Sequence, residues 1–179
     1  FDRTGLLSLM RYGKSFYNPE MIWYGYQSFL YKFYVQTSMS KNMVVVDGKQ
    51  QEPVESPRLL WHTGNLFQAT AVESNARWSD AAFGGMRYPE LPSISLDEKL
   101  SMENRSFKIP AIHKPYGDIG DYGERILQRR AMVVTDDYVL LADYVKGNES
   151  HDYDQLYQIK GFKGIDATAV RHDPMMSKD

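Results

Sequence analysis

Apolar and polar residues alternate over short stretches of the chain, with turn-forming residues between them, and this pattern predicts β-strands. Leu6 to Tyr12 and Lys14 to Asn18 flank Gly13, a spacing that predicts a β-hairpin. The clearest strand is Asn42 to Val46, which the turn pair Asp47-Gly48 ends. Further strands are predicted at Leu30 to Thr37, Leu59 to His62, Leu66 to Glu73 and Leu156 to Phe162.

A second hairpin is predicted late in the chain. Arg125 to Val134 and Tyr138 to Val145 are β-rich runs joined by Thr135-Asp136-Asp137, whose acidic residues favour a turn. From Asn75 to Gly123 the pattern weakens, and glycines and prolines predict a long loop excursion with one short helical turn at Leu96 to Glu103. Loops of this length inside a compact domain are usually functional or mobile.

These elements predict an all-β fold, either an antiparallel β-sandwich or a large layered antiparallel sheet with few short helices. We expect one domain over residues 1–179, with a frayed tail from 171 to 179. The chain begins with Phe1-Asp2-Arg3 just ahead of an apolar run, which we interpret as a piece excised or processed from a larger protein.

Composition and charge limit the kinds of molecule that the chain is expected to bind. The net charge is −2 and the 21 basic residues are spread along the chain, so neither nucleic acid nor a membrane is expected as a partner. The absence of cysteine excludes disulfides and cysteine-bound metal. The 13 Tyr, 8 Phe and 3 Trp are concentrated between Tyr12 and Tyr34, a density that favours strands and suits stacking on sugar rings where the side chains are exposed.

Short catalytic motifs are missing from the sequence, including Gly-x-Ser-x-Gly, a phosphate-binding glycine loop and His-Glu-x-x-His. The four histidines are dispersed, and a surface or structural role is favoured for each one alone. His113 is singled out because it lies in the long excursion beside Lys114 and Tyr116.

Three segments share a common pattern with one family. Ser40 to Lys49 contains the run Asn-Met-Val-Val-Val-Asp-Gly-Lys, and Phe1-Asp2 is followed by Leu-Leu-Ser-Leu at Leu6 to Leu9. Arg129 to Gly147 is followed by His151-Asp152-Tyr153. These segments resemble the signature strand, the first strand and the late hairpin of the heparinase II/III-like polysaccharide lyases. The resemblance covers most of the chain outside the long excursion.

The resemblance implies a bacterial β-domain that accompanies an N-terminal helical toroid and cleaves uronate-containing glycans by β-elimination. It implies an acidic polysaccharide or oligosaccharide as substrate, the toroid as the partner domain, and a periplasmic or secreted location. Metal-bearing relatives hold zinc on two histidines and an aspartate; here one position would precede Phe1, and the others are Asn18 and Lys41. An amide and an ammonium are poor zinc ligands, so we expect no zinc and no other cofactor.

The elimination needs a base for the proton α to the carboxylate, a group that stabilises the resulting anion, and an acid for the leaving oxygen. The resemblance assigns the acid and base to a tyrosine, with Tyr26 as first candidate and Tyr31 as second. The candidates for substrate binding are Trp23, Tyr24, Arg11, Lys41 and His113. Alternatively, the rings are core residues and the cations are solvated. The chain would then be a non-catalytic carbohydrate-binding or structural β-sandwich module.

We expect the isolated chain to lack lyase activity, because the resemblance places the first histidine before Phe1 and the toroid outside this chain.

Overall fold

Antiparallel β-sheets make up the part of the chain that the computed structural model describes, residues 4–5, 9–17, 35–81 and 118–159. Within those residues every strand pair is antiparallel, and the helical residues are the 3-10 turn at Ser38–Ser40 and single residues at 35 and 118. The predicted all-β class is therefore confirmed. The strands are β1 (Leu9–Arg11), β2 (Lys14–Tyr17), β3 (Val44–Val46), β4 (Gln50–Gln51), β5 (Arg58–Thr63), β6 (Gln68–Ala76), β7 (Trp78–Ser79), β8 (Ile126–Val134), β9 (Val139–Lys146) and β10 (Tyr153–Gln155).

The largest sheet in the described part has four strands in the order β5-β6-β8-β9. The register of β6 against β8 runs without interruption from Gln68 opposite Val134 to Ala76 opposite Ile126. The late hairpin predicted from the sequence is β8–β9, and the two strands predicted between Leu59 and Glu73 are β5 and β6.

The hydrophobic core lies at the first residue of β8, where this strand meets β3, β7 and β10. It contains Met43, Val45, Val46, Trp78 and Ile126, each at most 3% exposed. The three consecutive valines of β3 are all buried, as expected for a strand covered on both faces. β3 pairs with β10, so that Val46 lies opposite Tyr153 and Val44 lies opposite Gln155.

Two predicted turns each contain two successive residues with positive φ angles. Tyr12 and Gly13 join β1 to β2 with φ angles of 51° and 73°, and Asp47 and Gly48 follow β3 with φ angles of 52° and 66°. Two successive positive φ angles are typical of the type I′ turns that match the twist of a hairpin. Glycine at the second position avoids the steric cost of a side chain there.

Three sequence predictions on strand limits are wrong in the described part. The strand predicted at Leu156 to Phe162 lies earlier, at Tyr153–Gln155, because these residues pair with β3 while Leu156 packs against the core. The described end of the strand predicted at Leu30 to Thr37, residues 35–37, is not extended into a strand. Asn75 and Ala76, predicted as the start of the loop excursion, complete β6, and the next strand, β7, pairs with β4.

The predicted helical turn at Leu96 to Glu103 and the predicted frayed tail at 171–179 lie outside the described residues. Among the residues that are described, the structure has no helix with the length and apolar character needed to cross a membrane.

Candidate functional site

A cavity of about 470 Å³ opens between the β1–β2 hairpin and the turn that joins β8 to β9. Ligand pockets in proteins usually have volumes of about 300–1,000 Å³, so the cavity is large enough for a small ligand. Its described walls combine apolar side chains with one guanidinium group and two carboxylates; those used below are Met10, Arg11, Phe16, Asp136, Asp137 and Tyr138.

One wall of the cavity belongs to the β1–β2 hairpin. Arg11 is exposed at the end of β1, where its guanidinium lies 4.9 Å from the centre of the Tyr12 ring and Nη2 donates a hydrogen bond of 3.2 Å to the Tyr12 hydroxyl. Phe16, on β2, is 45% exposed. The tight turn at Tyr12-Gly13 therefore places a cation and an aromatic ring on one short, constrained element.

The opposite wall is the β8–β9 turn, which Thr135 holds in place. The Thr135 hydroxyl accepts backbone N–H bonds from Asp137 at 3.2 Å and from Tyr138 at 3.1 Å, and the Thr135 backbone N–H donates to the Tyr138 carbonyl at 3.0 Å. These bonds fix the backbone of the turn. The carboxylates of Asp136 and Asp137 are exposed on it, beside a Tyr138 that is 61% exposed.

A buried arginine connects this sheet to the segments that precede it. Arg130 is 6% exposed and binds Asp143 through two parallel bonds, Nε to Oδ1 at 2.7 Å and Nη2 to Oδ2 at 2.9 Å. Its Nη1 also donates to the carbonyl of Thr4 at 2.8 Å and to the carbonyl of Asn42, and Nη2 donates to Gln155 Oε1 at 3.2 Å. One guanidinium thus joins the N-terminal segment, the start of β3, β9 and β10.

A second charged cluster joins the turn after β3 to the segment before β10. His151 Nδ1 lies 2.7 Å from Asp47 Oδ2, and Nε2 lies 3.0 Å from Glu124 Oε1. Asp47 Oδ1 also accepts the backbone N–H of Asp152 at 2.9 Å. The His151 side chain is 12% exposed, so the imidazole is held between two carboxylates in a largely buried position.

This arrangement shifts the pKa values of all three groups toward their charged forms. The hydrogen bond to Asp47 raises the pKa of His151 more than burial lowers it, and Glu124 adds to the rise. Burial alone would raise the pKa of Asp47, but the bonds from His151 and Asp152 outweigh it and the pKa is lowered. The backbone N–H of Glu149 is the largest cause that lowers the pKa of Glu124 to about 2. At neutral pH the carboxylates are charged and favour an imidazolium between them.

Glu124, Glu149 and His151 are close enough to hold a metal ion, since one ligand atom from each lies within 4.8 Å of the others. However, Glu124 Oε1 already accepts the backbone N–H groups of Asn148 and Glu149, both at 2.7 Å, in addition to its contact with His151. These bonds explain the cluster as a structural ion network that stabilises the turn after β9.

The residues selected from the sequence fall into two groups. Arg11 lies at the cavity, whereas the Lys41 ammonium is half-buried and donates to the carbonyl of Val35 at 3.0 Å. The other candidates lie outside the described residues; they are Tyr26, Tyr31, Trp23, Tyr24 and His113. Asn18, the position considered for zinc, also lies outside them.

Sequence reasoning missed the contribution of the β8–β9 turn to the cavity. Asp136 and Asp137 were predicted only as turn formers, and Phe16 and Tyr138 only as strand residues. Two adjacent acids followed by an aromatic residue in a hairpin turn, where a single acid would suffice, are a signal that could have drawn attention to this turn.

Comparison of the chain with protein-family models, with curated proteins and with solved structures gave no match.

Proposed function

We propose that this chain is the β-domain of a polysaccharide lyase of the heparinase II/III type, acting on uronate-containing glycans by β-elimination. The proposal starts from the sequence resemblance of three segments, and one structural observation supports it. Described residues in or beside the segments that carry the resemblance contact one another, although they are far apart in the sequence.

Two contacts carry this observation. Asp47, from the Val-Val-Val-Asp-Gly-Lys run, binds both the side chain of His151 and the backbone of Asp152, from the His-Asp-Tyr run. Arg130, from the late hairpin, donates to the carbonyls of Thr4 and Asn42, which lie in or beside the other two segments. These charge-assisted hydrogen bonds join parts of the chain that are far apart in the sequence, which is the packing that the resemblance to one domain type leads us to expect.

In the proposed reaction, a tyrosine removes the proton α to the uronate carboxylate and a tyrosine returns a proton to the leaving oxygen. We assign this role to Tyr26, with Tyr31 as the alternative, on the basis of the resemblance. The described residues contribute a cavity whose guanidinium, on Arg11, can bind sugar oxygens.

The test is elimination by the protein expressed from its full reading frame. It is incubated with a panel of uronate polysaccharides, and the ultraviolet absorbance of the unsaturated product is followed. We expect product from at least one of them. A folded protein that binds a glycan of the panel without forming unsaturated product would overturn the lyase proposal and leave a carbohydrate-binding module.

Replacing Tyr26 by Phe sharpens this test, because the change removes only the hydroxyl. If Tyr26 is the acid or base, turnover should fall by about two to four powers of ten while the melting temperature changes little. A melting temperature that falls while the folded enzyme keeps its turnover would show a core tyrosine, and Tyr31→Phe is then the variant to measure.

A non-catalytic carbohydrate-binding module is the second candidate function. The observation that favours it is the exposure of large rings in the described strands and turns: Trp61 is 62% exposed, Tyr12 is 87% exposed and Tyr138 is 61% exposed. Exposed rings of this kind suit stacking on sugars without any chemistry. The elimination assay distinguishes the two functions.

A further inference from the structure

We infer that the cavity between the β1–β2 hairpin and the β8–β9 turn is a binding subsite for a neutral pyranose unit of a glycan. The inference rests on the proposed function for its ligand class, a glycan, and adds a place on the chain and a sugar type. This neutral sugar differs from the uronate that is expected at the reacting position.

The size and the lining of the cavity suit a ring-shaped ligand with apolar faces. Its volume is about 470 Å³, and its described walls include Met10, which is 64% exposed, Phe16, which is 45% exposed, and Tyr138. A pyranose has C–H bonds on its faces and hydroxyls on its rim. Apolar and aromatic walls can cover the faces, because burying such surface is favourable.

The polar groups at the cavity match the rim of the same ligand. Arg11 supplies N–H donors, and Asp136 and Asp137 supply four carboxylate oxygens that act as acceptors. Each sugar hydroxyl both donates and accepts, so adjacent hydroxyls can bind a carboxylate and a guanidinium together. Hydrogen bonds to charged groups are the stronger kind in proteins.

The charge at the cavity favours a neutral sugar over a uronate. The described lining carries one guanidinium and two carboxylates, and neither Asp136 nor Asp137 forms an ion pair with another described residue. A uronate placed here would bring a third carboxylate beside two that share a single guanidinium in the described lining, and like charges at short range repel. Arg11 also shares its guanidinium with the Tyr12 hydroxyl, which leaves less of it for an anionic ligand.

The two walls are preorganised, which is what a weak polar ligand requires. The Thr135 bonds fix the Asp136-Asp137 turn, and the antiparallel pairing of β1 with β2 constrains the facing hairpin. Because little freedom is lost when the ligand binds, more of the contact energy remains as affinity.

The test measures binding of the full chain to neutral trisaccharides of glucose, mannose, galactose and N-acetylglucosamine, with triglucuronate as the charged comparison. Binding is followed by calorimetry, and by amide NMR shifts to locate the site. We expect at least one neutral trisaccharide to shift the amides of Asp136, Asp137 and Tyr138, and to bind at this site more tightly than triglucuronate does.

Two variants and one control then assign the binding to the cavity. Tyr138→Ala should weaken the neutral sugar by about tenfold, and Asp136→Asn with Asp137→Asn should weaken it by a similar factor. Tyr157→Ala is the matched control, because Tyr157 is a comparably exposed tyrosine, at 56%, outside the described lining of the cavity. Circular dichroism checks that each variant is folded.

The inference is overturned if no neutral trisaccharide binds, if triglucuronate shifts the amides of Asp136, Asp137 and Tyr138 and binds there more tightly, or if the Tyr138 and Asp136/Asp137 variants bind as the Tyr157 control does. Each of these outcomes leaves the elimination assay unaffected. Conversely, a missing elimination product alongside cavity binding would sink the lyase proposal and keep the subsite.

Discussion

The strongest stability prediction concerns Arg130, whose guanidinium joins four separate parts of the described chain. Replacing it with Met keeps a long apolar side chain in the buried position and removes every donor. The change leaves the Asp143 carboxylate without its two bonds and leaves the carbonyls of Thr4 and Asn42 without this donor.

The expected cost follows from the burial of the two partners. Arg130 is 6% exposed, whereas the Asp143 side chain keeps 19% of its exposure, so water partly compensates the stranded carboxylate. Breaking a fully buried ion pair costs about 3–5 kcal/mol, and we therefore expect the lower end, about 3 kcal/mol, for Arg130→Met. For a chain of this size that corresponds to a fall of about 6–12 °C in the melting temperature.

The assay is urea unfolding followed by circular dichroism, with the free energy of unfolding extrapolated to water. Arg129→Met is the matched control, because Arg129 is the neighbouring arginine on β8 and its side chain is 53% exposed in a 2.5 Å ion pair with Glu73. Exposed pairs contribute about 0–1 kcal/mol, so the control should change little.

A double variant tests the cause of the loss. Adding Asp143→Leu to Arg130→Met removes the unpaired carboxylate, so the double variant should recover about 1 kcal/mol or more of the loss. If Arg130→Met costs no more than Arg129→Met, or if the second substitution adds its full cost to the first, the role assigned to this ion pair is wrong.

The remaining predictions concern one ion cluster, one turn and one metal. Because the pKa of His151 is raised in the folded protein, protonation of His151 should stabilise the fold fully below pH 6.5, its ordinary pKa. This stabilisation should be lost as the pH rises through the higher pKa of the folded protein. His151→Gln should remove this dependence of the urea midpoint on pH. Gly48→Ala should destabilise the protein by about 1 kcal/mol, since its φ of +66° disfavours a side chain, whereas Gly120→Ala, with open space around it, should be close to neutral in the same assay. Elemental analysis after purification without chelator should find no stoichiometric zinc, since Asn18 and Lys41 replace an acid and an imidazole in the resemblance; zinc at these positions would contradict that assignment.

The parts of the fold that depend on local chemistry were predictable from the sequence. The turns at Tyr12-Gly13 and Asp47-Gly48 lie where glycine and aspartate predicted them, because only a few residue types accept a positive φ. The β8–β9 hairpin follows from two β-rich runs with a short polar turn. In such elements the residues that form the contact are also neighbours in the sequence.

The misplaced strand β10 shows where local pattern stops being informative. The apolar run from Leu156 predicted a strand, yet the extended residues are Tyr153–Gln155, which include the polar Asp154 and Gln155. Their partner, β3, lies more than a hundred residues earlier, and pairing with it decides the register. Leu156 instead uses its side chain to pack on the core and its backbone N–H to bind the Met43 carbonyl at 3.0 Å.

The candidate site was predictable only in part for a similar reason. Arg11 was selected as a cation that could meet a substrate, and the structure places it at the cavity. The carboxylates that face the same cavity come from Asp136 and Asp137, about 125 residues away in the sequence. Nothing local to either segment indicates that the two hairpin ends come together, because the sheet packing that brings them together is a long-range property.

Charged residues in the described core have partners within the protein. The presence or absence of such a partner separates charged residues with a structural role from those that are candidates for binding a ligand. Glu52, whose side chain is 5% exposed, binds the guanidinium groups of Arg77 at 2.7 Å and Arg125 at 2.8 Å. Arg130 binds Asp143 in the same way, and each of these groups would be costly to bury alone. Folding therefore accounts for their presence. The adjacent carboxylates of Asp136 and Asp137 differ, because they are exposed on a turn beside an aromatic ring and a cavity and have no ion-pair partner among the described residues. Under the proposed sugar subsite they bind hydroxyl groups, which is why the β8–β9 turn is the place where substitutions should separate ligand binding from stability.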